Sequence, residues 1–419
     1  MNGYLVCILS ILALGYLLEL TAGLLELRSL HPELPAEFAG IYDQDQYARS
    51  QEYTRAKNRL ALVRSTVSLV LTVAFILLGG FNAVDNLARG FGLSTVSTGL
   101  VFTGLLVLLL WLINLPFSLY ATFGIEERFG FNTTNPLTFL LDTLKGILLA
   151  AILGGPLLAA VFLIFETGGP SAWLVCWLAV TAFLLVVQFL APVVILPLFN
   201  RFTPLAQGDL RAAITRYATA QRFATQEIFT MDGSRRSTRA NAFFTGFGRY
   251  RRIVFFDTLL KKLATAEIVA VLAHEIGHWR LRHIPVMLAL STLQTGLLLF
   301  LLSRFLDNPG LFAAFGMEQI SVYAAPVFFA FLYTPISTLL AVGVNFLSRR
   351  YEYQADRFAA GTGAGAEPLI RGLKKLSASN LANLTPHPFN VWLNYSHPPV
   401  LARINTLQHL AAETSGAQA

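Results

Sequence analysis

Charge is what this sequence has least of. Only 13% of its 419 residues are charged, while 55% are hydrophobic. A typical soluble domain carries about 25% charged residues. The shortfall is concentrated in long apolar runs, so lipid is the solvent for much of the chain. Cysteine is nearly absent too: Cys7 and Cys176 are the only two, and both sit within apolar runs. That excludes a disulfide framework and a zinc site built on paired CxxC. Acidic residues do not match the basic ones, and the net charge is +7. The basic residues are spread over several segments instead of forming one patch, which argues against a nucleic-acid partner. No internal repeat is present.

Seven segments each supply the roughly 20 mostly apolar residues that a bilayer crossing needs. They fall near 4–25, 65–83, 98–121, 144–165, 172–197, 285–303 and 322–347. The third, GLVFTGLLVLLLWLINLPFSLY, contains no charge, and the seventh holds Pro326 and Pro335 as candidate kinks. The first has no Lys or Arg before it and is interrupted by Glu19, so it reads as a retained span with the N-terminus outside, not as a cleavable signal peptide. Of the 31 Lys and Arg, 28 lie in segments that seven spans place on one side, and only Arg89 and Arg304 on the other; Lys145 is inside a span. The positive-inside rule then assigns the large polar regions and the C-terminus to the cytoplasm.

The expected fold is mainly α: seven transmembrane helices with a cytoplasmic α+β catalytic portion. Residues 1–199 carry five spans and a cytoplasmic piece, 28–64, read as a polar helix running into the second span. Residues 200–284 form one catalytic region, 285–348 the last two spans, and 349–419 a second catalytic region. Within 200–284, DLRAAITRYATAQRF has helical spacing and TQEIFTMDGS reads as a strand and turn. ANAFFTGFGRYRRIVFFDTLL reads as two strands around a turn at Gly246 and Gly248. TAEIVAVLAHEIGHWRLRH reads as a helix, with Thr265 as its cap and Glu267 at the positive end of its dipole. Ile268, Val271, Leu272 and Ile276 mark its buried face. The tail ETSGAQA reads as disordered.

That helix carries the central motif, His274-Glu275-Ile276-Gly277-His278. Histidines four apart project from one helical face, one turn apart, so both imidazoles can reach one zinc ion. Glu275 is displaced around the helix and should reach a water at the metal instead of the metal itself, the general-base position. Gly277 leaves room for close approach of another segment. Three of the seven histidines cluster here; the third, His283, falls outside the pair and is expected at a surface or interface. A third ligand is needed. Glu352, in SRRYEYQADRFAAG, is the best donor, with an ion pair to Arg349 or Arg357 as the alternative. Asp356 shares its helix face and could accept the free N–H of a ligating histidine.

Taken together, the ordered motifs resemble those of the type I CAAX prenyl endopeptidases, membrane metalloproteases of the gluzincin class. The matching segments are IEERFGFN at 125–132, PLFNRFTPL at 197–205, RANAFFTGFG at 239–248, HEIGHW at 274–279, SRRYEYQADRFA at 348–359 and SHPPVLARI at 396–404. The resemblance implies one Zn²⁺ per chain, with Glu352 as third ligand and Asp356 behind it. It implies Asn241 on an edge strand that binds the substrate backbone, and His397 and Arg403 as oxyanion or substrate-carboxylate contacts. It also implies a water-filled chamber enclosed by the seven helices, and a peptide or protein substrate, lipidated or membrane-embedded. Asp142 and Lys145, three apart in the fourth span, would then be chamber wall or an internal ion pair. The chain has NAF where NAY is often seen, is shorter, and lacks a large extra luminal loop and a dilysine-type signal. Those departures point to a bacterial inner membrane and leave prenylated substrates open.

Three rivals remain. An intramembrane protease of the site-2 type would place the motif inside a span, which Glu267, Arg280, Arg282 and His283 oppose. A quality-control protease of the heat-shock type would share the zinc chemistry with fewer spans. A transporter or scaffold with an inert metal site would not need an intact Glu275. The topology is testable: in a background without native cysteines, Cys introduced at Arg211 and at Ala411 should resist impermeant thiol reagents in intact cells, and Cys at Thr95 should react. Labelling of the first two from outside would invert the orientation.

Overall fold

The computed structural model describes residues 2–223, 227–245 and 252–416. Among the described residues, seven helices are long and apolar enough to cross a membrane: Gly3–Arg28, Gln44–Leu77, Thr95–Glu126, Pro136–Thr167, Gly169–Phe199, His283–Leu302 and Ala325–Ala360. They correspond one to one with the expected spans and are mostly longer. The second begins as the polar helix expected from 28–64, capped by Asp43, whose carboxylate accepts the Gln46 N–H at 2.6 Å. Wide π turns interrupt the fourth span at Ala150–Gly154, just before Pro156, and the fifth at Ala191–Ile195, which contains Pro192. Proline has no N–H for the preceding turn, and a wider turn absorbs the loss. Pro326 sits in the first turn of the seventh span, where no bond is lost, while Pro335 is interior.

The spans do not pack around a shared axis. Only 6–22% of the residues in each span's most apolar window are buried. Buried residues gather at two ends instead. One cluster takes Ile8, Ile76, Phe102, Phe165, Cys176, Leu299 and Phe328 from the span ends on one side, sealed by Phe312, Phe315 and Tyr323. The other lies in the catalytic portion on the opposite side. Between them, residues such as Leu14, Leu112 and Leu339 stay exposed, while Ser291, Gln294, Thr295, Ser337 and Asn345 line a space between the sixth and seventh spans. A bundle closed at both ends, with its spans little buried between them, encloses a chamber.

The catalytic portion is built on a four-stranded sheet in the order β1-β2-β4-β3. β1 (Phe202–Pro204) and β3 (Ala242–Thr245) pair antiparallel to their neighbours, whereas β2 (Glu227–Met231) and β4 (Arg252–Phe256) run parallel. Alternation turns Ile228, Ile253 and Phe255 toward the core that the motif helix, Thr265–Arg280, also fills. The turn expected at Gly246 and Gly248 lies outside the described residues. The helix expected from DLRAAITRYATAQRF spans Asp209–Ala220. The C-terminal helix, Val400–Gly416, extends four residues into the tail expected to be disordered, and its last three residues lie outside the described set.

The motif helix is capped differently from expectation. Thr265 is already its first residue; the Ala264 N–H donates to the Glu267 carboxylate at 2.8 Å. Glu267 is buried and also accepts Lys375 Nζ at 2.7 and 2.9 Å, tying the helix to the helix Ala366–Ser379. Ile268, Leu272 and Ile276 are buried as expected, and Val271 is half-buried. The motif helix crosses the seventh span at Gly277. A Cβ there would stand 3.1 Å from Ala355 Cα and 3.2 Å from its carbonyl oxygen. Gly277→Val should therefore force the crossing apart, at about 1–3 kcal/mol for overpacking. Both the melting temperature and the metal occupancy should fall. A variant that melts normally and fills with metal would show that the crossing has slack.

Candidate metal centre

The crossing brings three ligand atoms together: Nε2 of His274 and His278 from the motif helix, and the carboxylate of Glu352 from the seventh span. His274 Nε2 and His278 Nε2 are 3.1 Å apart. Glu352 Oε2 lies 3.5 Å from the first and Oε1 3.3 Å from the second. Ligands at 2.0–2.1 Å in a tetrahedron around zinc stand about 3.3 Å apart. Neither Arg349 nor Arg357 takes Glu352 away: Arg349 donates to the carbonyls of Val391 and Tyr395.

Proton bookkeeping shows what the three atoms need. Asp356 is fully buried and accepts the His274 Nδ1–H at 2.8 Å. It is held by Arg403, whose Nε and Nη2 donate to its two oxygens at 2.8 and 2.7 Å. An Asp so paired cannot be the donor, so His274 carries a proton on Nδ1 and turns Nε2 toward His278 and Glu352. On the other histidine, Nδ1 is 3.0 Å from His283 Nδ1, and His283 Nε2 meets the Gln354 carbonyl oxygen at 2.9 Å. Gln354 Oε1 can only accept, so His283 is protonated on Nε2 and takes the His278 Nδ1–H. His278 Nε2 then faces the same point. Glu352 Oε2 is buried and lies 3.2 Å from Arg403 Nη1 and 3.5 Å from His274 Nε2. Two imidazole nitrogens and a carboxylate thus converge on one point. A cation satisfies that arrangement, and the residues fit a zinc ion.

His283 is the residue that sequence reasoning misplaced. It is buried, only 3% exposed, and stacks on Tyr351 with ring centroids 3.9 Å apart. It lies just past the end of the motif helix, where Arg282 adopts a left-handed backbone at φ 60° and redirects the chain. Its spacing of five from His278 was the available signal, since a turn of that kind swings a residue back over the preceding helix end.

The other expected residues lie around this core. Glu275 is half-buried; burial pushes its carboxyl above the usual carboxylate range, against the pull of His274 and His278. His397 is 65% exposed, with Nε2 3.4 Å from Glu352 Oε1, and borders the open side. Arg403 is only 9% exposed. Its guanidinium is committed to Asp356 and approaches Glu352 Oε2 at 3.2 Å, so a substrate contact has little left to use. Asn241 is exposed and stands one residue before β3, the edge strand, not within it. Its carbonyl accepts the Phe256 N–H at 3.0 Å and its side chain accepts the Ala242 N–H at 2.9 Å. The segment leading to it is clamped: Arg239 forks onto Glu126 at 2.8 and 2.9 Å, and the Ala240 N–H donates to Asn380 at 3.2 Å. Asp142 and Lys145 do not pair with each other. Arg236 forks onto Asp142, and Lys145 donates to the Leu198 carbonyl.

Two family descriptions cover nearly the whole chain. The CAAX prenyl protease N-terminal region, with five membrane helices, matches residues 25–201, and peptidase family M48 matches residues 204–411. With seven spans and the converging ligands, they define a multi-pass integral membrane metalloendopeptidase. The chain belongs to the CAAX prenyl protease family within M48. It is 34% identical to the CAAX prenyl protease 1 homolog of Oryza sativa subsp. japonica over 97% of each chain. It is also 34% identical to CAAX prenyl protease 1 of Saccharomyces cerevisiae, covering 90% of this chain and 89% of that one. The crystal structure of S. mikatae Ste24p superposes with a TM-score of 0.93 at 30% identity, over 97% of this chain and 99% of that one.

If His283 sets the proton of His278, His283→Ala should weaken metal binding by about 10–100-fold in a chelator competition. His283→Asn, which keeps an acceptor, should recover part of it. Unchanged affinity in both variants would remove His283 from the centre.

Proposed function

We propose that the chain is a zinc endopeptidase of the HExxH…E type, with His274, His278 and Glu352 as ligands and Glu275 as general base. The observation that carries this is the convergence of His274, His278 and the buried Glu352 carboxylate, whose donor atoms all lie within 4.8 Å of one another. When bound, zinc would polarise the scissile carbonyl and acidify a water. Glu275 takes the proton of the attacking water and passes it to the leaving amine. Its raised affinity for protons suits both halves of that transfer. Asp356 and Arg403 hold His274 in one tautomer, and His283 with Gln354 does the same for His278. Arg403 is therefore read as a positioning residue, and the exposed His397 as the side chain facing the developing oxyanion. An extended peptide pairing with the free edge of β3, beside Asn241, would present one carbonyl in fixed register.

The substrate class follows from the named relatives and the chamber: peptides or proteins at the membrane, including prenylated CAAX-type C-termini. The 28-to-2 division of basic residues supports a cytoplasmic catalytic portion. The relatives named above are eukaryotic, so they add nothing to the bacterial membrane expected from the short chain.

Two substitutions separate the roles. Glu275→Gln should keep zinc and fold but lose about 10²–10⁴-fold or more in turnover, because the amide cannot take the water proton. Glu352→Ala should lose zinc. Turnover near wild type in the first, or full zinc in the second by metal analysis, would overturn the corresponding assignment.

A further inference from the structure

The sheet has a second face. With Ile228, Ile253 and Phe255 turned to the motif helix, Phe229 and Arg252 turn the other way, toward the foot of the fifth span. A cavity of about 420 Å³ opens there. Leu198 and Phe199 from the end of the span, Phe229 and Arg252 from the sheet, and Arg201 and Arg235 from the connecting segments are among the residues that line it.

Cations outnumber the acids around this cavity, and most of the acids are already engaged. Arg236 forks onto Asp142 at 2.7 and 2.9 Å. Asp232 accepts the Arg201 backbone N–H at 2.7 Å. Glu227 lies 4.0 Å from Arg252, with Glu227 exposed and Arg252 half-buried, so that long pair is weak. Arg201 and Arg235 are exposed, and Arg252 lies over the Phe229 ring at 5.3 Å. Lys145, outside the lining, reaches up from the fourth span to the carbonyl of the lining residue Leu198 at 2.8 Å.

Position selects the occupant. The fifth span ends at Phe199, so the cavity sits where that helix leaves hydrocarbon, which is the level of lipid phosphates. Val193, Val194 and Leu198, exposed on the last turns of the span, give acyl chains a path from the cavity into the bilayer. Arginine presents several N–H donors in a planar fork that matches phosphate oxygens, and cations at the end of a span attract anionic headgroups. We propose that this cavity holds the phosphate of an anionic phospholipid from the leaflet beside the catalytic portion, fastening the outer face of the sheet to the membrane.

The test uses the full-length protein, delipidated in neutral detergent and titrated with phosphatidylglycerol or phosphatidylcholine in mixed micelles. Melting temperature and lipid retained in native mass spectrometry are the readouts. Phosphatidylglycerol should raise the melting temperature and stay bound, and phosphatidylcholine should do neither. The triple variant Arg201→Gln, Arg235→Gln, Arg252→Gln should weaken phosphatidylglycerol binding by about tenfold to a hundredfold, on the usual scale for juxtamembrane cations. Removing the same charge at Arg216, Lys261 and Arg357 should leave it intact. If the triple variant does not fold, Arg235→Gln alone should still weaken binding several-fold. Equal effects of the two lipids, or equal loss in the control variant, would overturn the site. Protection by millimolar inorganic phosphate alone would make it a free-phosphate site and overturn the lipid assignment.

Discussion

Everything at the centre depends on how closely the motif helix and the seventh span cross. Gly277 leaves a gap that Ala355 fills with backbone, and even a methyl group would come within 3.2 Å of two of its atoms. At that distance Glu352, one turn before Ala355, reaches His278, while Asp356, one residue after it, reaches behind His274. Two helices far apart in sequence thereby supply ligands and support to one point. Helix spacing alone fixes the His pair, but the candidate third ligand reaches it only because small residues meet at the crossing.

The charges around that point are costly to bury, and the structure compensates each. Asp356 receives two bonds from Arg403 and one from His274. Such charge-assisted, bidentate contacts are the strongest hydrogen bonds proteins make, and removing one partner of a buried pair costs about 3–5 kcal/mol because the other charge is stranded. Arg403 comes from the C-terminal helix, so the last described element of the chain is bonded directly to the support of His274, the first candidate ligand. This also explains why Arg403 is withdrawn from solvent while His397, six residues earlier, stays open to it.

Outside the centre the molecule is hollow, and its stability is divided between two ends. Phenylalanine-rich packing closes one end, and the catalytic portion closes the other. The long spans between them bury little, so they act as a wall around the chamber. The sheet joins wall to centre. Its inner face packs on the motif helix, β3 stands at its edge among the described residues, and Arg239 pins the approach to that edge onto Glu126 of the third span.

The seven spans, the motif helix and the candidate ligands were legible in the sequence, because apolar runs of bilayer length and an i, i+4 histidine pair are local patterns. The strand expected after Thr225 and the two around Gly246 were legible as well. Some details were not. The cap of the motif helix passed from Thr265 to a Glu267 carboxylate shared with Lys375, a residue over a hundred positions away. His283 looked peripheral because a left-handed turn at Arg282 folds it back onto His278, and a single φ angle leaves no periodic trace. Asp142 and Lys145 looked like partners on one helix face, yet each found a better one elsewhere. The sequence by itself determined where lipid surrounds the chain and which side chains can bind a metal, since both are properties of residue type and short spacing. Only the tertiary structure decided which groups share protons and which carboxylate closes the site, because those depend on atoms brought within about 3 Å by packing between distant segments.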